Sequence, residues 1–207
     1  MILLELFAWT RSIGKEADKL WFDVFSVELD PQHWCNMTMS VLDFNGLPDG
    51  KIPDVIWASP PCTSFSIAAI SHHRHQGWAP KTEWAILWDM LVKKTLDIIT
   101  YYKKLNPNLV YFIENPRGYL RKMDFMQDQP IRHTVTYCQY GDTRMKPTDI
   151  WTNSTDWIPR CMCKNWAVCH ESAPRWSRTG TQWVKWAKNR SIIPQELCKE
   201  IMASVIF

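Results

Sequence analysis

Residues 53–66 read Pro-Asp-Val-Ile-Trp-Ala-Ser-Pro-Pro-Cys-Thr-Ser-Phe-Ser, an apolar run that stops at two prolines and then presents a cysteine. Val55, Ile56 and Trp57 suit a buried strand. Pro60 and Pro61 fix φ and remove two backbone donors, so Cys62 follows a strand's carboxyl end on a stiffened loop. In open α/β sheets ligands bind at that edge. A lone cysteine is more often a small buried hydrophobe than a nucleophile, so its meaning depends on what the rest of the chain brings to the same edge.

Upstream, Met1 to Phe7 predicts a strand running to Ala8, then a turn at Trp9 to Ser12 and a helical pattern through Ala17 and Leu20. Asp23 to Glu28 predicts a second strand, and a third, short one ends near Asp43. In nucleotide-binding βαβ units a carboxylate about 20 residues past the first loop holds ribose hydroxyls. Glu28 has that spacing, 21 positions after Phe7, although a carboxylate at a strand end is more often a solvated cap.

Downstream, Ser71-His-His-Arg-His75 reads as a mobile polar loop whose histidines lack a regular ligand spacing. From Trp84 to Lys104 the apolar residues Ile86, Leu87, Met90, Leu91, Leu96, Ile98 and Ile99 keep helical spacing, which predicts a crossover helix. It leads into Leu109 to Ile113, apolar on both faces as central parallel strands are, and then into Glu114-Asn-Pro-Arg117. Two strands one crossover apart thus deliver Cys62 and Glu114 to the same edge, where partial burial would raise the Glu114 pKa and make it a proton donor. Residues 133–140 and 148–151 predict an antiparallel pair closing the sheet, and Ile193 to Ile201 a final helix with Pro194 near its first turn.

Composition bounds the function classes. With 207 residues and 46% hydrophobic content, the chain is long enough for one substantial domain and is not a disordered segment. A net charge of +3 does not by itself call for a polyanionic partner, but Arg175, Arg178, Lys185, Lys188 and Arg190 form an acid-free basic segment. No apolar run approaches the roughly 20 residues that span a bilayer, and no leader pattern opens the chain, so a membrane partner is not expected. Seven cysteines, an odd number, argue for a reducing compartment over a secreted disulfide frame.

In this order, Leu6-Phe-Ala8, Glu28, Asp43, Pro60-Pro-Cys62 with Phe65-Ser66, Glu114-Asn115 and Gln139 resemble the DNA (cytosine-5)-methyltransferases, in the wording of a compact, phage-type branch. The resemblance runs to about residue 152. It implies an α/β, Rossmann-like S-adenosylmethionine-dependent methyltransferase fold over 1–152, a small Cys/His-containing basic target-recognition segment over 153–191, and a C-terminal helix over 192–207 that packs back on the catalytic domain. The implied substrate is double-stranded DNA, in the cytoplasm of a bacterial or phage-infected cell and in a restriction-modification setting.

The resemblance also implies roles. Cys62 attacks carbon 6 of a cytosine flipped out of the duplex, and Glu114 hydrogen-bonds and protonates ring nitrogen 3. A thiolate suits this because it is both a strong nucleophile and an adequate leaving group. Phe7 stacks on the adenine of S-adenosylmethionine, Glu28 holds its ribose and Asp43 its adenine amine, with Ala8, Trp9 and Pro61 lining the same cofactor site. Gln139 and Arg144 match a Gln-Arg motif near the target base, although Tyr140 and Gly141 depart from it. The loop from Thr63 to Gly77 is the expected closure over the base.

Two features depart from the family pattern. Its first loop carries glycines, whereas this chain reads Ala8-Trp9-Thr10-Arg11, and Trp176, Trp183 and Trp186 also stand where turns want Gly. There are 13 tryptophans and only 7 glycines, against an average glycine usage of about 7%. UGA codons read as Trp in place of Gly would account for both. The recognition segment is also short, and Cys161, Cys163, Cys169 and His170 offer four soft ligands within it, the basis for expecting a small zinc knuckle. The rival readings are an inactive DNA-binding relative, if Trp9 blocks the cofactor, and an RNA cytosine-5 methyltransferase with the same Cys/Glu chemistry.

Overall fold

The computed structural model describes residues 1–33, 35–164, 167–171 and 187–206. Trp176, Trp183 and Trp186, together with Arg175, Arg178 and Lys185 of the basic segment, lie outside the described residues.

Seven strands form one sheet: β1 (Ile2–Leu6), β2 (Asp23–Glu28), β3 (Met37–Thr38), β4 (Val55–Ala58), β5 (Val110–Pro116), β6 (Ile131–Thr136) and β7 (Pro147–Thr152), in the order β3-β2-β1-β4-β5-β7-β6. The first five run parallel, and β7 is wedged antiparallel between β5 and β6. This is a Rossmann-like, doubly wound arrangement with one strand reversed. The helices are α1 (Ser12–Lys19), the one-turn α2 (Ile70–His73), the crossover α3 (Glu83–Leu105), the short α4 (Ala187–Ser191) and α5 (Gln195–Ala203).

Alternation along the strands sorts the core into two layers. Leu4, Leu6, Ile56, Ala58 and Ile113 face Val92, Ile98, Ile99 and Tyr102 of α3. Leu3, Val55, Trp57 and Phe112 face Ile13 and Ala17 of α1 and Leu197, Cys198, Ile201 and Met202 of α5. A sheet buried on both sides needs strands apolar at every position, which is how β4 and β5 read. The stretch that follows β7 begins inside this core: Trp157 is buried and packs on Phe112 and His133.

The structure differs from the sequence expectation in several places, and the strand expected over 133–140 runs Ile131–Thr136 and then gives way to a 3-10 turn, Tyr137–Tyr140. Asp43 ends a 3-10 turn (Val41–Asp43) capped by the Ser40 hydroxyl, and the third strand is the shorter Met37–Thr38. The polar stretch at 71–75 is no mobile loop. Arg74 is buried and makes a two-pronged ion pair with Asp89 of α3, at 2.6 and 3.1 Å, while donating to the carbonyl and hydroxyl of Ser64 and lying over the Phe65 ring. A paired guanidinium can be buried where an unpaired one cannot. This pair ties the segment to the turn that follows Cys62.

Candidate active site at the carboxyl edge of the sheet

In the β4–β5 register Ala58 lies level with Ile113, so Cys62 and Glu114 leave neighbouring strands at one edge. The Cys62 loop is fixed from several sides. Asn115 Nδ2 donates to the Pro60 carbonyl at 2.9 Å, the Phe65 amide donates to the Cys62 carbonyl at 3.0 Å, and the Tyr119 amide donates to the Phe65 carbonyl at 2.7 Å. Gly118 permits that last approach, because a Cβ there would lie 2.4 Å from the Phe65 carbonyl oxygen. Asn115 Oδ1, also buried, has no hydrogen-bond partner among the described residues.

Glu114 is 6% exposed. The Tyr137 hydroxyl donates to its Oε1 at 2.8 Å, and Lys146 Nζ stands 4.0 Å from the same oxygen. Burial, with Glu114 alongside, pushes the Tyr137 hydroxyl well above its usual range, so it stays a donor. Lys146 is half-buried, its side chain 9% exposed; it donates to the Arg190 carbonyl at 2.9 Å and lies 4.5 Å from the Tyr137 ring centroid. Burial pushes its ammonium pKa down, while Glu114 and Cys62 draw it up. Burial pushes the Cys62 thiol up; Lys146 pulls it down and Glu114 raises it. Lys146, with Arg190 as a smaller contributor, thus opposes the effect of burial and favours a thiolate at Cys62.

Lys146 and Tyr137 were missed by sequence reasoning. The signal was topological: because β7 runs antiparallel, its beginning at Pro147 lies at the edge where β5 ends, with Pro116 paired to Thr148. The residue just before such a strand therefore faces the site. Arg144 makes no hydrogen bond to Cys62 or Glu114 among the described residues. Its guanidinium is taken up by Asp142 and by the carbonyls of Asn189, Arg190 and Ile192, where it clamps the C-terminal segment. Gln139 points its amide at Cys169 Sγ, 3.4 Å away.

The expected cofactor residues share the same edge, at or beyond the ends of β1, β2, β3 and β4. Phe7 is half-buried with a left-handed φ of 60°. Ala8 is buried and Pro61 half-buried. Glu28 Oε1 already accepts from the amides of Leu29 and Asp30, at 2.9 and 3.3 Å, and Asp43 is exposed. Trp9 meets His33 edge-on at 5.8 Å and borders a cavity of about 720 Å³. That cavity is also lined by Thr10, Arg11, Ser12, Gln32 and His33, but by none of Phe7, Glu28, Asp43 or Pro61. Beneath the loop, buried Glu5 accepts from the Gly14 amide at 3.2 Å and the Ser26 hydroxyl at 2.9 Å, a support that sequence reasoning also missed.

Among the metal candidates, Cys163, Cys169 and His170 come together, joined by Cys138; Cys161 is outside the group. No helix among the described residues is long and apolar enough to cross a membrane.

No family model matches the chain. It is 30% identical over 167 residues to the protein named "Probable DNA (cytosine-5)-methyltransferase" of Frog virus 3 (isolate Goorha), a match covering 77% of this chain and 74% of that protein. Among solved structures it is similar to the S. pombe Dnmt2 methyltransferase (TM-score 0.49, 10% identity) and to a mutant of Spodoptera frugiperda DNMT2 (TM-score 0.46, 14% identity). Each of these matches covers 77% of this chain and, respectively, 52% and 55% of the solved one, so the chain spans about half their length.

Proposed function

We propose that this chain, which belongs to the DNA (cytosine-5)-methyltransferase family, methylates carbon 5 of cytosine in double-stranded DNA through a covalent bond to Cys62. The observation that carries the reading is the group of buried Glu114 and Tyr137 with half-buried Lys146 on the edge that holds Cys62. With the target base turned out of the stack, the Cys62 thiolate forms a bond to carbon 6. Lys146 favours the thiolate before attack, and Glu114, oriented by Tyr137, hydrogen-bonds ring nitrogen 3 and supplies its proton. Electron density moves to carbon 5, which becomes the nucleophile. Loss of the carbon 5 proton and expulsion of Cys62 then restore the aromatic ring.

S-adenosylmethionine, the family's cofactor, supplies the methyl group as an electrophile. Phe7, Ala8, Pro61, Glu28 and Asp43 fit it by position, all at the ends of parallel strands where such ligands bind. Trp9 is the exception, since a bulky ring stands where the methionine part would approach the backbone. Trp9 therefore favours a second reading, a relative that binds DNA without transferring a methyl group.

Bisulfite sequencing of DNA from cells expressing the protein, beside a Cys62→Ala form, tests the mechanism. Methylated cytosines are expected with the former alone, and methylation that survives the substitution refutes the covalent step. Calorimetry with S-adenosylmethionine separates the two readings, because the inert relative would bind none.

A further inference from the structure

We propose that Cys138, Cys163, Cys169 and His170 form a closed, structural binding site for one zinc ion. Their four ligand atoms lie within 4.8 Å of one another. Cys163 Sγ stands 3.1 Å from Cys169 Sγ and 3.5 Å from His170 Nδ1, and Cys169 Sγ is 3.7 Å from that nitrogen. Tetrahedral zinc, with Zn–S near 2.3 Å and Zn–N near 2.0 Å, sets two sulfurs about 3.8 Å apart and a sulfur and a nitrogen about 3.5 Å apart, so the two sulfur–nitrogen separations fit and an ion would spread the Cys163 and Cys169 sulfurs by about 0.7 Å. Three thiols and an imidazole are the soft and borderline donors that select zinc, and a full set of four protein ligands leaves no open catalytic position.

The backbone around the cluster is held independently of any ion. The Cys163 amide donates to Thr136 Oγ1 at 2.8 Å, and the Glu171 amide donates to the Thr143 carbonyl at 2.9 Å. The plainer alternative is a knot of packed thiols, but Cys169 is exposed and gains little by burial there. The placement explains why a tight Cys-x-Cys pair need not supply two ligands. Cys161 is exposed and stays out, and the fourth ligand comes from the turn after β6 (Tyr137–Tyr140), beside Tyr137 of the catalytic group. An ion here would staple the recognition segment to the catalytic edge. Binding would release the thiol protons to solvent, with no change of oxidation state.

The test is metal analysis of the full chain, stripped with chelator and refolded with or without zinc. About one zinc per chain is expected, retained in Cys161→Ser and lost in Cys138→Ser and Cys163→Ser. A stoichiometry near zero, or Cys161→Ser losing as much metal as Cys138→Ser, overturns the site. Should the serine variants fail to fold, cobalt(II) added to the stripped, unsubstituted chain decides. Intense visible bands of tetrahedral cobalt with sulfur-to-metal charge transfer support the site, and the weak spectrum of octahedral cobalt refutes it. A Cys163–Cys169 disulfide in the isolated protein, seen as a mass loss of two hydrogens, overturns it as well.

A different observation carries a second inference: we infer that Trp21 and Trp78 stand where the native residue is glycine, encoded by UGA. Trp21 follows the last turn of α1 with φ 61°, its amide donating to the Asp18 carbonyl and that of Phe22 to the Ala17 carbonyl. That pair of bonds defines a Schellman cap, whose left-handed position is usually Gly. Trp21 is 92% exposed, so no burial offsets the strain. Trp78 has φ 70° directly after Gly77 at φ 82°. By contrast Trp57, Trp151 and Trp157 are fully buried core residues. Reading the gene decides: UGA at 21 and 78 with UGG at 57, 151 and 157 is expected, and UGG at 21 or 78, or UGA at 57, overturns the inference.

Discussion

The two ends of the sheet's carboxyl edge are built differently. Around Cys62 every neighbour is fixed: Asn115 and Tyr119 hold the loop, Arg74 ties it to α3, and Glu114 is braced by Tyr137 near Lys146. Around Phe7 the family's residue types are present but unclosed. Asp43 is exposed, Glu28 bonds its own loop, and Trp9 packs on His33 beside a cavity that the other expected cofactor residues do not line. Attack on a ring carbon needs groups held to fractions of an ångström. Binding a cofactor needs a shape, and one misplaced ring spoils a shape without disturbing the fold.

Substitutions can widen or erase that contrast. The largest effect is expected for Cys62→Ala, with methyl transfer falling about 10⁴-fold or more while calorimetric affinity for S-adenosylmethionine stays unchanged; a parallel loss of both would mean the two ends are one unit. Next, Arg74→Ala leaves Asp89 unpaired and should cost about 3–5 kcal/mol, read as a lower midpoint in urea unfolding. Lys146→Met removes the cation that favours the thiolate. Because the Cys62 pKa then rises, the rate–pH profile should need a pH higher by about one unit or more, and an unmoved acid limb would take Lys146 out of thiolate formation. Trp9→Gly should tighten cofactor binding by about tenfold, or 1.4 kcal/mol, with little change at Cys62. The smallest effect is expected for Trp21→Gly, which should stabilise the fold by about 1 kcal/mol; thermal melts would register it, and a loss of stability would contradict the Schellman reading.

What the sequence disclosed follows from where packing forces residue type. β4 and β5 are buried on both faces, so their apolar runs announced a parallel core, and the edge shared by Cys62 and Glu114 followed from one crossover. Trp84 to Lys104 is helical as expected, but its buried face runs through Ala85, Asp89, Val92, Thr95, Ile98, Ile99 and Tyr102, and Ile86 and Met90 of the expected apolar stripe are exposed. Contacts joining distant segments were hidden. Nothing local marks Lys146 as a neighbour of Glu114, or Cys138 as a partner for Cys169, because both depend on β7 entering the sheet backwards. Arg74 looked like loop charge because its mate, Asp89, lies in the middle of a helix where an acid is unremarkable. Arg144 was assigned by motif, yet Asp142, two residues away, holds its guanidinium.

The position of β7 also sets a schedule. Among the described residues it is the last strand to be synthesised, yet it lies inside the sheet, pairing β5 on one side and β6 on the other. Until Thr152 has left the ribosome, β5 is a bare edge and β6 has no neighbour, so the carbonyls and amides flanking Glu114 wait for partners made some 35 residues later. One insertion completes both ladders and brings the start of β7, with Lys146, to the carboxyl edge. Such non-local closure is slow. The nascent chain therefore carries Cys62 for the time it takes to make a further ninety residues before it has the surroundings that could make it reactive.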